Sequence, residues 1–263
     1  MARVLAVVNQ KGGVGKTTTS VNLAASLAHS DKRVLLIDLD PQGNATMGSG
    51  VDKRKAVRTV YHVLLGMDEL ASVRTQSANG GYDLLPANRE LAGAEVELVE
   101  LPQRETRLKA ALVGIMDEYD FIFIDCPPSL SLLTINGLVA AQAVLIPMQC
   151  EYYALEGLSD LVGTIKRVRA KLNPGLEIAG LLRTMYDPRN TLSLQVSQQL
   201  ETHFGDKVYK TLVPRNVRLA EAPSYGAPAV VLDQSSKGAQ AYLALADELL
   251  ERERGRAALG AAA

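Results

Sequence analysis

Only two cysteines, Cys126 and Cys150, occur in 263 residues, 24 positions apart and without a Cys-x-x-Cys pair. Neither a disulfide framework nor a metal-thiolate site is implied, and reduced thiols in a cytoplasmic setting are expected. Histidine is also scarce, and His29, His62 and His203 lack metal-ligand spacing. Charge of one sign is missing too: 28 Lys and Arg stand against 29 Asp and Glu, so any nucleic-acid surface has to be a local patch. No apolar run approaches the roughly 18 residues of a membrane-spanning helix. The first strand-like run begins within three residues of Met1, leaving no room for a signal peptide. There is no internal repeat and no Pro- or Ser-rich linker, and the 47% apolar content suits one large globular domain.

Short apolar runs bounded by turn residues are present at Val4–Val8, Val34–Ile37, Tyr82–Leu85, Phe121–Ile124, Ala143–Pro147 and Ile178–Met185. Helical periodicity fills most of the gaps, which predicts a single α/β domain with a mainly parallel twisted sheet and helices on both faces. Between Leu158 and Leu172, apolar residues at 158, 161, 162, 165, 168 and 172 form one helical stripe, with Arg167 and Lys171 opposite. Small residues from Ala257 onward read as a frayed tail.

The first apolar run leads into Lys11-Gly12-Gly13-Val14-Gly15-Lys16-Thr17-Thr18 and then into helical sequence. Strand, glycine-rich turn and helix N-terminus in that order make a phosphate cradle, because the glycines admit close approach to backbone N–H groups and the helix dipole favours an anion. A nucleoside triphosphate is the expected ligand. Lys16 is placed to reach its β- and γ-phosphates, and the Thr17 hydroxyl to coordinate Mg²⁺. The loop departs from the usual pattern: Gln10 occupies the position of the first glycine, and Lys11 is a second cation with no evident role in its own subunit.

Two further strands end in carboxylates. After Leu35-Leu36-Ile37 come Asp38 and Asp40, ahead of a Pro41-Gln42-Gly43 turn. A carboxylate there can orient an attacking water or hold one bound to Mg²⁺, and Asp40 is the better candidate, with Asp38 open to a purely structural role. Phe121-Ile122-Phe123-Ile124-Asp125 has the form of a Walker B element, in which Asp125 acts on Mg²⁺ through water. Cys126 beside it reads as a core residue, and Tyr152-Tyr153 as packing at a helix start.

KGGVGKTT, LIDLDPQGN, FIDCPPSL, EYYALEGL and PRNVRLAEAP occur together and in order. With them the chain resembles the ParA/Soj family of chromosome-partitioning ATPases, within the deviant Walker A group that includes MinD. The resemblance covers roughly residues 1–250. It implies a single P-loop NTPase domain over 1–255 and a flexible tail over 256–263. It also implies that Lys11 crosses a homodimer interface to the partner's ATP, and that Gly12 lies where two backbones approach. Gly13, Val14, Gly15, Lys16, Thr17 and Thr18 would bind phosphate and Mg²⁺. Asp40 would serve hydrolysis and the metal, with Asp125 in the metal shell, and Pro214 and Asn216 would flank and read the adenine.

Between Ser159 and Leu219, ten basic residues stand against five acidic ones. In the family, arginines at the positions of Arg189 and Arg218 contribute to sequence-independent binding of double-stranded DNA. The implied function is an ATP-driven partitioning switch on the nucleoid, released when a ParB-like partner stimulates hydrolysis. No helix-turn-helix segment precedes the first strand, so operator binding is not expected. The alternative is a MinD-like membrane-associated switch, which needs a basic amphipathic C-terminal helix. Against it, residues 247–254 hold four acids and two bases. An iron–sulfur relative of the nitrogenase iron protein type would need bridging cysteines, and neither cysteine has that spacing.

Overall fold

In the computed structural model, which describes residues 1–261, one sheet is built from β1 (Arg3–Val7), β2 (Val34–Asp38), β3 (Thr75–Gln76), β4 (Asp83–Leu85), β5 (Phe121–Asp125), β6 (Ala143–Gln149), β7 (Glu177–Tyr186) and β8 (Val208–Pro214). Its order is β3-β4-β2-β5-β1-β6-β7-β8, and every neighbouring pair is parallel except β3 with β4. The central strands are buried along their whole length, which is why they read as unbroken apolar runs.

Side chains alternate between the two faces. Leu5, Val7, Leu36 and Phe123 pack under the helices Lys16–His29 and Lys237–Ala261, through Leu23, Leu27, Tyr242 and Leu245. Val4, Ala6, Ile37 and Ile124 point the other way, toward helices that include Leu132–Ala140 and Ala154–Lys171. In the latter, Leu158, Leu161, Ile165 and Val168 are buried, each worth about 1.5–3 kcal/mol. Leu172, placed on the same stripe by the sequence, is the helix cap and half exposed.

β8, absent from the sequence-based strand set, is an edge strand with Lys210 and Pro214 interrupting its apolar pattern. Its outward donors are covered by one carboxylate: Lys210 and Thr211 donate their backbone N–H groups to Glu248 at 2.8 and 2.9 Å. The final helix continues through Ala261, so the segment expected as a tail from 256 is helical to that point, and residues 262 and 263 lie outside the described residues. Glu253 accepts from Arg256 at 2.8 Å and from the buried Arg3 at 3.0 Å, which ties the helix to the sheet at Glu253, ahead of its alanine-rich end.

Strand register sets up the site. Val7 and Asp38 both lie level with Asp125, bringing the glycine loop and two carboxylate-bearing strand ends to the carboxyl edge of the sheet.

Candidate functional site

β1 runs into the loop and the loop into the helix Lys16–His29 with no side-chain cap. Gly13 and Gly15 adopt φ of +75° and +88°, a left-handed backbone that L side chains resist. The loop is tethered on both sides. Asn9 accepts from the Lys11 N–H at 3.0 Å and donates to the Pro147 carbonyl at 2.8 Å, while Thr184 donates its hydroxyl to the Val14 carbonyl at 2.7 Å. Gly12, Gly13, Gly15, Lys16, Thr17, Thr18, Asp40, Pro214 and Asn216 line one cleft of about 810 Å³. Residues from opposite ends of the chain thus share a single wall.

Lys16 is 7% exposed and donates to the Lys11 carbonyl at 3.2 Å. Burial lowers its pKa, and the nearby carboxylates of Asp125 and Asp40 oppose that shift. Asp125, fully buried at the end of β5, accepts from the Thr17 hydroxyl at 2.7 Å and from the Ser20 hydroxyl at 2.9 Å. Burial, with the neighbouring Asp38 charge adding to it, pushes Asp125 up to about 7 despite those hydroxyls. Asp38 does not reach the cleft. It accepts from both the backbone N–H and the hydroxyl of Thr46 at 2.7 Å, and burial raises it to about 6. Its contacts are those of a structural acceptor that fixes the turn after β2. Asp40 faces the cleft, with one oxygen accepting from the Gln42 N–H at 2.8 Å.

Lys11 behaves differently from Lys16. It is half exposed, lies outside the cleft wall, and its ammonium forms an ion pair with Glu151. Next to Glu151, Tyr152 and Tyr153 are 73% and 68% exposed and meet edge to face. The packing role that their sequence pattern suggests is not what they have. They escape burial because the helix begins only at Ala154, leaving both in the preceding turn. Cys126 and Cys150 are buried, so neither is presented at a surface where two subunits could share a cluster.

The two arginines singled out for nucleic acid are not part of the cleft wall, although Arg218 stands between Asn216 and Leu219, which are. Arg189 is exposed and paired with Asp187 at 2.9 Å, and Arg218 bonds to Glu221 at 3.1 Å and Asp233 at 3.2 Å. Asn216 connects the second arginine to the cleft: its side chain caps the helix Val217–Glu221 by accepting from the Arg218 N–H at 3.0 Å. Arg183, one of the ten basic residues of this region, is buried, donating to the buried Ser197 and pairing with Glu201 at the surface.

Thr184, Met185 and Tyr242 also line the cleft and carry no signal in the sequence. Met185 has a φ of +48°, a strained conformation for a side-chain-bearing residue, at the point where β7 meets the cleft. Tyr242 shares a 3.0 Å hydrogen bond with Thr19 and joins the last helix to the loop helix.

The profile of the AAA domain family matches residues 2–178. The sporulation initiation inhibitor protein Soj of Bacillus subtilis is 53% identical over 249 residues, covering 95% of this chain and 98% of its own. The chromosome partitioning protein ParA of Caulobacter vibrioides is 51% identical over 261 residues, covering 98% of each chain. Among solved structures, a cobyrinic acid a,c-diamide synthase from Mycobacterium smegmatis with bound ADP and magnesium is 42% identical, with a TM-score of 0.85 over 97% of this chain and 96% of its own. That one architecture carries both partitioning and synthase names means that function has to be argued from the site. A Soj protein and a ParA partitioning protein, each matched over at least 95% of both chains, around a glycine loop that holds one lysine inside the cleft and one outside, place this chain in the ParA/Soj family of P-loop ATPases.

Proposed function

We propose that this ATPase is a DNA-partitioning switch: ATP–Mg²⁺ closes two copies into a sandwich, the closed dimer binds double-stranded DNA without regard to sequence, and partner-stimulated hydrolysis releases it. The observation that carries the reading is the contrast between the two loop lysines. Lys16 is buried in the cleft wall, where it would serve its own subunit's phosphates, while Lys11 is half exposed outside that wall and paired with the half-exposed Glu151, from which it would pass to a second subunit. A cation supplied across an interface acts as an arginine finger does, an effect worth about 10³–10⁵ in rate for GTPases. A Cβ added at Gly12 meets nothing within 4 Å, so its own fold does not obstruct a substitution there.

The oxygen donors fit a magnesium ion: the Thr17 hydroxyl on the cleft wall, Asp40 facing it, and Asp125 behind Thr17. Magnesium, when bound, neutralises charge on the β- and γ-phosphates. Thr17 would be its direct ligand and Asp125 would act through water. Asp40, exposed to the cleft, would orient the attacking water, and Pro214 and Asn216 would border the base. Arg189 and Arg218 would exchange their carboxylate partners for DNA phosphates, with a ParB-like protein as the trigger for hydrolysis. No helix among the described residues is long and apolar enough to cross a membrane. At the C-terminal end Arg252 is held by Glu248 and by the β8 carbonyl of Val208, which leaves it poorly placed for lipid headgroups.

Sedimentation of the Asp40→Ala variant tests the sandwich. A dimer is expected with ATP–Mg²⁺ and a monomer with ADP, and Lys11→Ala should bind ATP without hydrolysing it. A monomer in every nucleotide state, or normal turnover in Lys11→Ala, would contradict the reading.

A further inference from the structure

Ser20 sits one turn into the helix Lys16–His29, is fully buried, and forms no part of the cleft wall. A helical serine ordinarily bonds back to the carbonyl four residues earlier, and Ser20 has that acceptor, Lys16, at 3.1 Å. It has a closer one. Its hydroxyl approaches Oδ1 of Asp125 at 2.9 Å, while Thr17, three residues earlier on the same helical face, donates to Oδ2 at 2.7 Å. The two oxygens of one buried carboxylate are therefore each gripped by a hydroxyl from the same turn.

A carboxylate held at one oxygen can turn about its Cβ–Cγ bond, and holding the second oxygen fixes its plane. The Thr17 oxygen can give a lone pair to a metal while its proton still points at Asp125, so only Thr17 has to serve both partners. We propose that Ser20 is a positioning residue: by locking the Asp125 plane it presents that carboxylate in one orientation to the Mg²⁺ shell, without touching nucleotide or metal. This rests on the reading of Thr17 and Asp125 as the metal side of the site. Partners that orient a metal's ligands typically contribute about 10–100-fold in metal affinity.

The readout is the ratio of dissociation constants of a fluorescent non-hydrolysable ATP analogue in EDTA and in saturating Mg²⁺, measured on the full chain. In Ser20→Ala the ratio should fall about tenfold with the EDTA affinity unchanged, and Ser20→Thr, which keeps the hydroxyl, should retain it. A merely structural serine would lower the melting temperature and leave the ratio at the wild-type value, which would overturn the proposal. Should Ser20→Ala fail to fold, Ser20→Cys keeps the volume with a weak donor and carries the same expected fall. Thr17→Ala and Asp125→Asn separate the two claims. If they collapse the ratio while Ser20→Ala does not, Ser20 has no positioning role; if all three leave it unchanged, the metal assignment fails as well.

Discussion

The cleft and the two arginines outside its wall, Arg189 and Arg218, use the same chemical groups under opposite conditions. Lys16 and Thr17 on the cleft wall, with Ser20, Asp125 and Asp38 behind it, are buried or half-buried, and Thr17 and Ser20 bond to Asp125 and Thr46 to Asp38 across different elements. Outside the cleft wall, Arg189 and Arg218 are exposed and paired mainly with carboxylates two or three residues away. A buried polar group deprived of its partner costs about 1–3 kcal/mol, so the cleft is committed to one geometry. An exposed ion pair is worth about 0–1 kcal/mol, so those arginines can trade a carboxylate for a phosphate at little cost. Fixed hydrogen bonds suit binding and chemistry on one ligand, and exchangeable ion pairs suit reversible attachment to a polyanion.

Substitutions can break this comparison at either end. The largest effect is expected from Lys16→Ala, which removes the lysine of the cleft wall and should weaken ATP binding more than about 100-fold by equilibrium titration; unchanged affinity would remove the cradle assignment. Asp40→Ala should hold ATP within a few-fold of wild type while hydrolysis drops by roughly 10²–10⁴ in a phosphate-release assay.

Arg189→Glu combined with Arg218→Glu should leave ATP-dependent dimerisation intact and weaken DNA binding for every sequence. The slope of log affinity against log salt should become shallower by about 0.9 for each DNA phosphate that is no longer neutralised. If dimerisation disappears instead, the arginines belong to the fixed part of the molecule.

The pH response sharpens the same contrast. Asp38 and Asp125, at about 6 and about 7 in the fold, lie above their unfolded value of roughly 3.9. Between about pH 4 and 7 the native state binds more protons than the unfolded chain, so these groups add stability as pH falls and lose it as pH rises through their folded values. The denaturation midpoint of the nucleotide-free protein should therefore gain a contribution on going from about pH 7.5 to 5.5, and Asp38→Asn, already neutral, should show a smaller rise. The smallest effect belongs to the exposed pair: Asp187→Asn should leave the denaturation midpoint almost unchanged and tighten DNA binding only a few-fold by freeing Arg189.

What the sequence makes legible follows the same division. Six strands and the phosphate loop can be read because burial on both faces leaves unbroken apolar runs, and because a left-handed turn demands glycine at Gly13 and Gly15. β8 is not legible, since its edge is satisfied by Glu248 from the final helix and needs no apolar pattern to hold it. Thr184 and Met185 reach the cleft through the sheet order, and Tyr242 through packing of the final helix on the loop helix, neither of which local spacing encodes. A tally of basic residues between 159 and 219 takes Arg183 as surface, whereas its guanidinium is enclosed by Ser197, Glu201 and the Tyr209 carbonyl. Tyr152 and Tyr153 depend on where a helix starts, a boundary that sequence defines only to within a few residues.

The most direct test of the switch is binding to random-sequence double-stranded DNA with no nucleotide, with ADP, and with ATP–Mg²⁺, using Asp40→Ala to hold the ATP state. Binding that occurs only with ATP–Mg²⁺ and disappears as salt is raised is the predicted result. Indifference to DNA in all three states, with ATP-dependent binding to anionic vesicles in its place, would contradict the account and make the membrane switch the better description.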